Sequence, residues 1–130
     1  MKKKDKELLM KDLSARLPYG VKVYDTKGNF NSSHQTLAHI NGIVGEAFVT
    51  SGMACRTAQI EDLKPYLFPM SSMSEEQEIS LMRFVANGIM GENIVYDWYN
   101  ENHFDYRGLI NKGLAIDATG KNIYWNSNLL

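Results

Sequence analysis

The chain has one cysteine, Cys55, in 130 residues, so no disulfide can form within it. A lone thiol suits a reducing compartment, and a cytoplasmic location is expected. Long apolar runs are lacking too: GIVGEAFV at 42–49 falls far short of the ~20 residues that a membrane span requires, and no membrane role is expected. The start, MKKKDKELLMKDL, is basic, but Asp5, Lys6, Glu7, Lys11 and Asp12 leave no apolar stretch behind the lysines, so no export signal is read there. Basic residues are scarce in the middle, where residues 60–105 carry Lys64 and Arg83 against nine acids. That segment repels a phosphate backbone and disfavours a nucleic-acid partner. The remaining route to one is a basic face made by Lys2, Lys3, Lys4, Lys6, Lys11, Lys22 and Lys27.

Signature motifs are missing as well. Phosphate loops, dinucleotide fingerprints, HExxH, GxSxG and paired cysteines do not occur, which removes the enzyme classes that carry them. His34 and His39 point to opposite faces if they share a strand, and no four-ligand set is visible, so neither a metal nor a cofactor is expected. Cys55 lies beside Arg56, whose charge lowers a thiol pKa when the two face each other, yet a lone cysteine in a strand reads first as a small buried hydrophobe.

The residues that are present fit one α+β domain over residues 1–130, β-rich to about residue 60 and helical beyond it. Leu9, Met10, Leu13 and Leu17 recur at helical spacing and predict an amphipathic helix over 5–17 that Pro18 stops. Four strands are expected near 20–25, 30–40, 43–50 and 53–60. Gly28 sits in a three- to five-residue loop, Asn41-Gly42 in a two-residue hairpin, and Thr50-Ser51-Gly52 in a third reversal. The strands fit a four-stranded antiparallel meander or a small SH3-like barrel. EDLKPYLFPMSS reads as a turn of helix and then an extended crossover that packs through Leu63, Tyr66, Leu67 and Phe68.

Ser74 and Gln77 form a capping box. The helix it opens has Ile79, Met82, Val85, Ala86 and Ile89 as its buried stripe, with Gly88 and Gly91 at its end. Met70, Met73, Met82 and Met90 could make an adaptable partner surface, but core filling is the simpler account. A further helix runs from Asn93 to Asn102. GLAIDATGKNIYW reads as a short C-terminal β-hairpin turning at Thr119-Gly120, and the NSNLL tail as a fraying end.

The segment with most chemistry is DWYNENHFDYRGL, residues 97–109. Ile94, Val95, Trp98 and Tyr99 form an apolar band at helical spacing, while Asp97 and Glu101 share another face. Asn102 suits a left-handed helix end. The candidate catalytic residues are His103 with Asp105, Asp97 and Glu101, and the candidate binding residues are Tyr106 and Arg107. A nucleophile is missing unless Cys55 is brought in by the fold, so the segment reads first as the fastening of the last helix.

The stretches ARLPYGV (15–21), IEDLKPYLFPMSSMSEEQ (60–77) and HFDYRGLINKGLAI (103–116) resemble a group of short uncharacterised proteins from gut bacteria and their phages or prophages. The resemblance implies a mobile-element origin and carries no site residue. The expected function is a non-enzymatic interaction or adaptor module of open specificity, with a protein as the partner class to look for. The alternatives are a small hydrolase or transferase using His103, and a nucleic-acid accessory protein.

Overall fold

The computed structural model describes residues 1–28, 34–51, 54–87 and 94–124. The expected start of the second strand before residue 34, the turn residue Gly52, the helix-end residues Gly88, Ile89, Met90 and Gly91, the cap Asn93 and the NSNLL tail lie outside the described residues.

The first helix, α1, spans Lys3–Arg16 and buries Leu9, Asp12, Leu13 and Arg16. These stand at i, i+3, i+4 and i+7, one face of a 3.6-residue helix. The expected stripe of Leu9, Met10, Leu13 and Leu17 is therefore rotated. Met10 and Leu17 are only partly buried against the core, because Asp12 and Arg16 find charged partners inside. Pro18 lies in a single 3₁₀ turn, Leu17–Tyr19, closed by Gly20 at φ +67°, where a residue without Cβ costs least.

The described residues form six strands: β1 Lys22–Asp25, β2 Gln35–Asn41, β3 Glu46–Ser51, β4 Ala54–Gln59, β5 Leu63–Leu67 and β6 Ile116–Asp117, in the order β4-β3-β2-β1-β5-β6. The first four form the expected meander. After a 3₁₀ turn at Ile60–Asp62, the segment expected as a crossover is a strand, β5, which pairs antiparallel with β1. Pro65 is tolerated there because β6 pairs only from Tyr66 onward, leaving that flank open. Strands β1 to β5 thus have an SH3-like order. The sheet coils enough for Arg56 of β4 to reach Asp25 of β1 at 3.0 Å, although β2 and β3 lie between them. The ladder order stays open, with β4 and β6 as its edges.

Turn lengths depart from expectation. Val23 pairs with Gln35, so the β1–β2 connection is longer than a tight hairpin. Asn41 pairs with Glu46, which makes the next loop four residues. Asn41 Oδ1 accepts the Ile43 N–H, and Gly45, not Gly42, takes the positive φ, +70°.

Strand alternation sends Ala47 and Val49 inward and leaves Phe48 outside beside His39. The core joins Leu9 and Leu13 of α1 to Val23, Leu37, Val49 and Leu63 of the sheet. Each side chain fully buried in this way contributes about 1.5–3 kcal/mol.

Among the described residues two more α-helices follow, α2 Glu75–Asn87 and α3 Ile94–Glu101. Ser74 Oγ accepts the Gln77 N–H at 3.1 Å and Gln77 Oε1 accepts the Ser74 N–H at 2.9 Å, as the capping box requires. The C-terminal stretch gives one strand, β6, parallel to β5, and among the described residues no second strand through Tyr124. A side chain ties this stretch down instead of a ladder: the Tyr124 hydroxyl accepts the Lys22 N–H and donates to the Tyr66 carbonyl.

Candidate functional site

Helix α3 ends on a left-handed residue, but that residue is His103 at φ +61°, one position beyond Asn102. The Phe104 N–H bonds to the Tyr99 carbonyl and the His103 N–H to the Asn100 carbonyl, the paired bonds of a Schellman end. Asn102 instead turns its side-chain amide onto the Trp98 carbonyl. Beyond the helix, the His103 carbonyl accepts the Phe68 N–H and the Asp105 N–H returns to the Phe68 carbonyl. Chain 103–105 is thereby stitched to the end of β5.

This backbone sets the chemistry of the histidine. Its side chain is 7% exposed and stacks on Tyr124, with centroids 4.0 Å apart and planes at 11°. Burial first, then the charges of Arg16 and Lys22, lower its pKa to about 3, against a backbone hydrogen bond with Tyr19 that raises it. Nδ1 is buried without a hydrogen-bond partner. Burial likewise pushes the Tyr124 hydroxyl well above the usual phenol range.

Asp105 does not orient this ring. Its Oδ1 accepts the Leu109 N–H at 2.8 Å and its Oδ2 the Ile110 N–H at 2.9 Å, which caps the following turn. Asp97 and Glu101 are exposed on α3, away from the sealed histidine. The four candidate catalytic residues are therefore not brought together, and a ring with so low a pKa is a poor general base at neutral pH.

The candidate binding residues are occupied internally. Arg107 donates to Asp12 Oδ1 at 2.8 Å and lies 4.4 Å from the Tyr106 ring centroid, while the Tyr106 hydroxyl donates to Asn100 Oδ1. Arg16 completes the cluster. Fully buried, it donates to Asp12 Oδ2 at 3.0 Å, to the Phe104 carbonyl at 2.6 Å and to the Tyr99 carbonyl at 3.4 Å. Its guanidinium thus satisfies the carbonyl end of α3, where the helix dipole favours a cation. One signal in the sequence pointed here, the Asp12/Arg16 pair at i, i+4 alongside Leu9 and Leu13.

Cys55 is exposed, a correction to its expected burial. It sits on the edge strand β4, which buries only Ala58, and its neighbour Arg56 turns to Asp25 on the other face. His34 meets Tyr66 and His39 meets Phe48, at separate places. Among the described residues, no three His, Cys, Asp or Glu side chains gather as metal ligands. Lys22 is engaged with Thr36, Lys27 borders a cleft with Asp25 and Asp62, and Lys6 of α1 pairs with Glu61 at 3.9 Å. That cleft, about 220 Å³, has its buried carboxylate already bonded to Arg56 and to the Lys27 N–H.

The uncovered surface lies on α2. The stripe expected in the core faces solvent: Ile79 is 48% exposed, Met82 69% and Val85 41%, and no residue of α2 is buried. The helix is little covered on any side: Leu81 alone of its apolar residues is half-buried, and Phe84 is itself 37% exposed. Toward α3, Phe84, Arg83 and Asn87 line a cleft of about 550 Å³ with Trp98, Glu101 and Asn102. Among the described residues of α2 and α3, Arg83 is the one cation, against Glu75, Glu76, Glu78, Asp97 and Glu101.

No helix among the described residues is long and apolar enough to cross a membrane. Comparison of the chain with models of protein families, with curated proteins and with solved structures finds no match in any of the three.

Proposed function

We propose that the chain is a non-enzymatic interaction or adaptor module that takes a protein partner on the outer face of α2. One observation carries this reading: Ile79, Met82 and Val85 stand in a row on a well-capped helix and are left in water. Apolar residues repeated at helical spacing on one exposed face are the usual mark of a helix-binding surface. Methionine at the centre adds adaptability. The exposed thiol of Cys55 supports a reducing, cytoplasmic setting. The resemblance of the LPYG, KPYLFPMSSM and HFDYRGLI segments to proteins of gut bacteria and their phages supports a mobile-element origin.

The test is selection from a displayed random-peptide library on the immobilised protein, with the Ile79→Ser/Met82→Ser protein as counter-target. Peptides enriched on the parent and lost on the variant are expected. Peptides that bind both equally, or no enrichment at all, would sink the reading, as would turnover in hydrolase screens abolished by His103→Asn.

A further inference from the structure

We infer that the occupant of the α2 face is a lysine- or arginine-rich amphipathic helix of another protein. This rests on the interaction reading above and adds the chemistry of the partner. The shape argument comes from spacing. Ile79, Met82 and Ala86 lie on one line of the helix surface at i, i+3 and i+7, a ridge about 10 Å long at 1.5 Å per residue. A ridge of that length matches the groove offered by two turns of a second helix.

Charge then selects among helices. Glu75, Glu76 and Glu78 head the ridge, Asp97 and Glu101 stand exposed on α3, and Arg83 alone opposes them among the described residues of the two helices. This field repels nucleic acid and anionic lipid surfaces, and it attracts a partner whose apolar stripe is edged with cations. A second copy of the chain fits less well. A parallel α2 pair sets these acids against themselves, and an antiparallel pair offers them only Arg83 as a counter-charge. The chain's own basic helix, α1, has already spent its apolar side, with Leu9 and Leu13 fully buried in the core.

The experiment uses the full chain and two labelled synthetic peptides of about four helical turns. Both carry leucine at i, i+3, i+4 and i+7, with lysine at the polar positions of one and glutamate in the other, and binding is read by fluorescence anisotropy. The lysine peptide is expected to bind at least about tenfold more tightly than the glutamate peptide. It should also weaken about tenfold when added salt shortens the Debye length from ~10 Å to ~3 Å. Ile79→Ser/Met82→Ser, which alters two exposed positions without adding charge, should cost about tenfold or more in affinity. Glu75→Lys/Glu76→Lys/Glu78→Lys should reverse the preference between the peptides. Far-UV circular dichroism confirms that each variant is folded.

Equal binding of both peptides, no binding of the lysine peptide, or undiminished binding to the serine variant overturns the inference. Two of those outcomes leave the interaction reading standing if the display selection still yields peptides of another composition that need Ile79 and Met82. Concentration-dependent self-association that disappears in the serine variant likewise makes a second copy the occupant: it overturns the basic-helix inference and keeps the surface.

Discussion

At the scale of single residues, two buried polar groups set measurable expectations. His103 has a folded pKa near 3 and an unfolded value near 6.5. Because its folded value is depressed, the neutral ring contributes its full stability above about pH 6.5. That contribution is lost as the pH falls from 6.5 toward 3, where the unfolded chain binds the proton and the native state does not. Near the middle of that window the loss approaches about 1.4 kcal/mol per pH unit. Urea titrations at several pH values should show this slope in the parent. His103→Asn, which tolerates the left-handed backbone and does not titrate, should remove that part of it. An unchanged slope would assign the acid sensitivity to another group. The second expectation concerns Arg16→Ala. It leaves Asp12 buried beside Arg107 alone and takes one of two donors from each of the Tyr99 and Phe104 carbonyls, and breaking a buried pair in this way costs about 3–5 kcal/mol. Chemical denaturation measures this directly, and a loss below about 1 kcal/mol would mean that the cluster is more hydrated than its geometry indicates.

At the scale of elements, helix α2 stands apart from the rest. Met82→Ser should shift global stability by no more than about 0.5 kcal/mol, whereas Leu67→Ala, on the buried strand β5, should cost about 2–5 kcal/mol. Parallel denaturation curves for the two proteins decide the point, and a large cost at Met82 would place its side chain against the domain. The same elements show how far the chain could be read in advance. The meander, the capping box and the start of α1 were legible because strand alternation, the Ser74/Gln77 pair and the Leu9/Leu13 spacing are local. The rotation of α1 and the exposure of α2 were not, since a stripe shows that a helix has an apolar side and leaves open which neighbour covers it. β5 was hidden by Pro65, which argues against a central strand until the short reach of β6 is known. In the DWYNENHFDYRGL segment, composition drew attention to the turn that follows α3. The left-handed turn at His103 and the partners of Asp105 depend on residues from β5 and from the next turn, and no spacing rule supplies those.

At the scale of the whole molecule, contacts tie the chain's beginning to its later third: Arg16 to Tyr99 and Phe104, Arg107 to Asp12, and Tyr124 to Lys22 and Tyr66. Tyr124→Phe should therefore lower the stability of the whole domain by about 1–3 kcal/mol. Near-ultraviolet and far-ultraviolet circular dichroism should then melt together, in parent and variant alike. Separate transitions would show that the β-rich and helical halves fold apart. Arg16 carries a consequence for synthesis in the cell as well. Its carbonyl acceptors lie 83 and 88 residues further along the chain, so while the polypeptide is being made, α1 has a charged side with nowhere to dock until Phe104 has been added. Closing so long a loop is entropically slow. The growing chain can cover Leu9 and Leu13 with the meander once Leu63 is made, but Asp12 and Arg16 wait for their later partners until Phe104 and Arg107 follow, an interval in which chaperones and proteases have access to that side of α1.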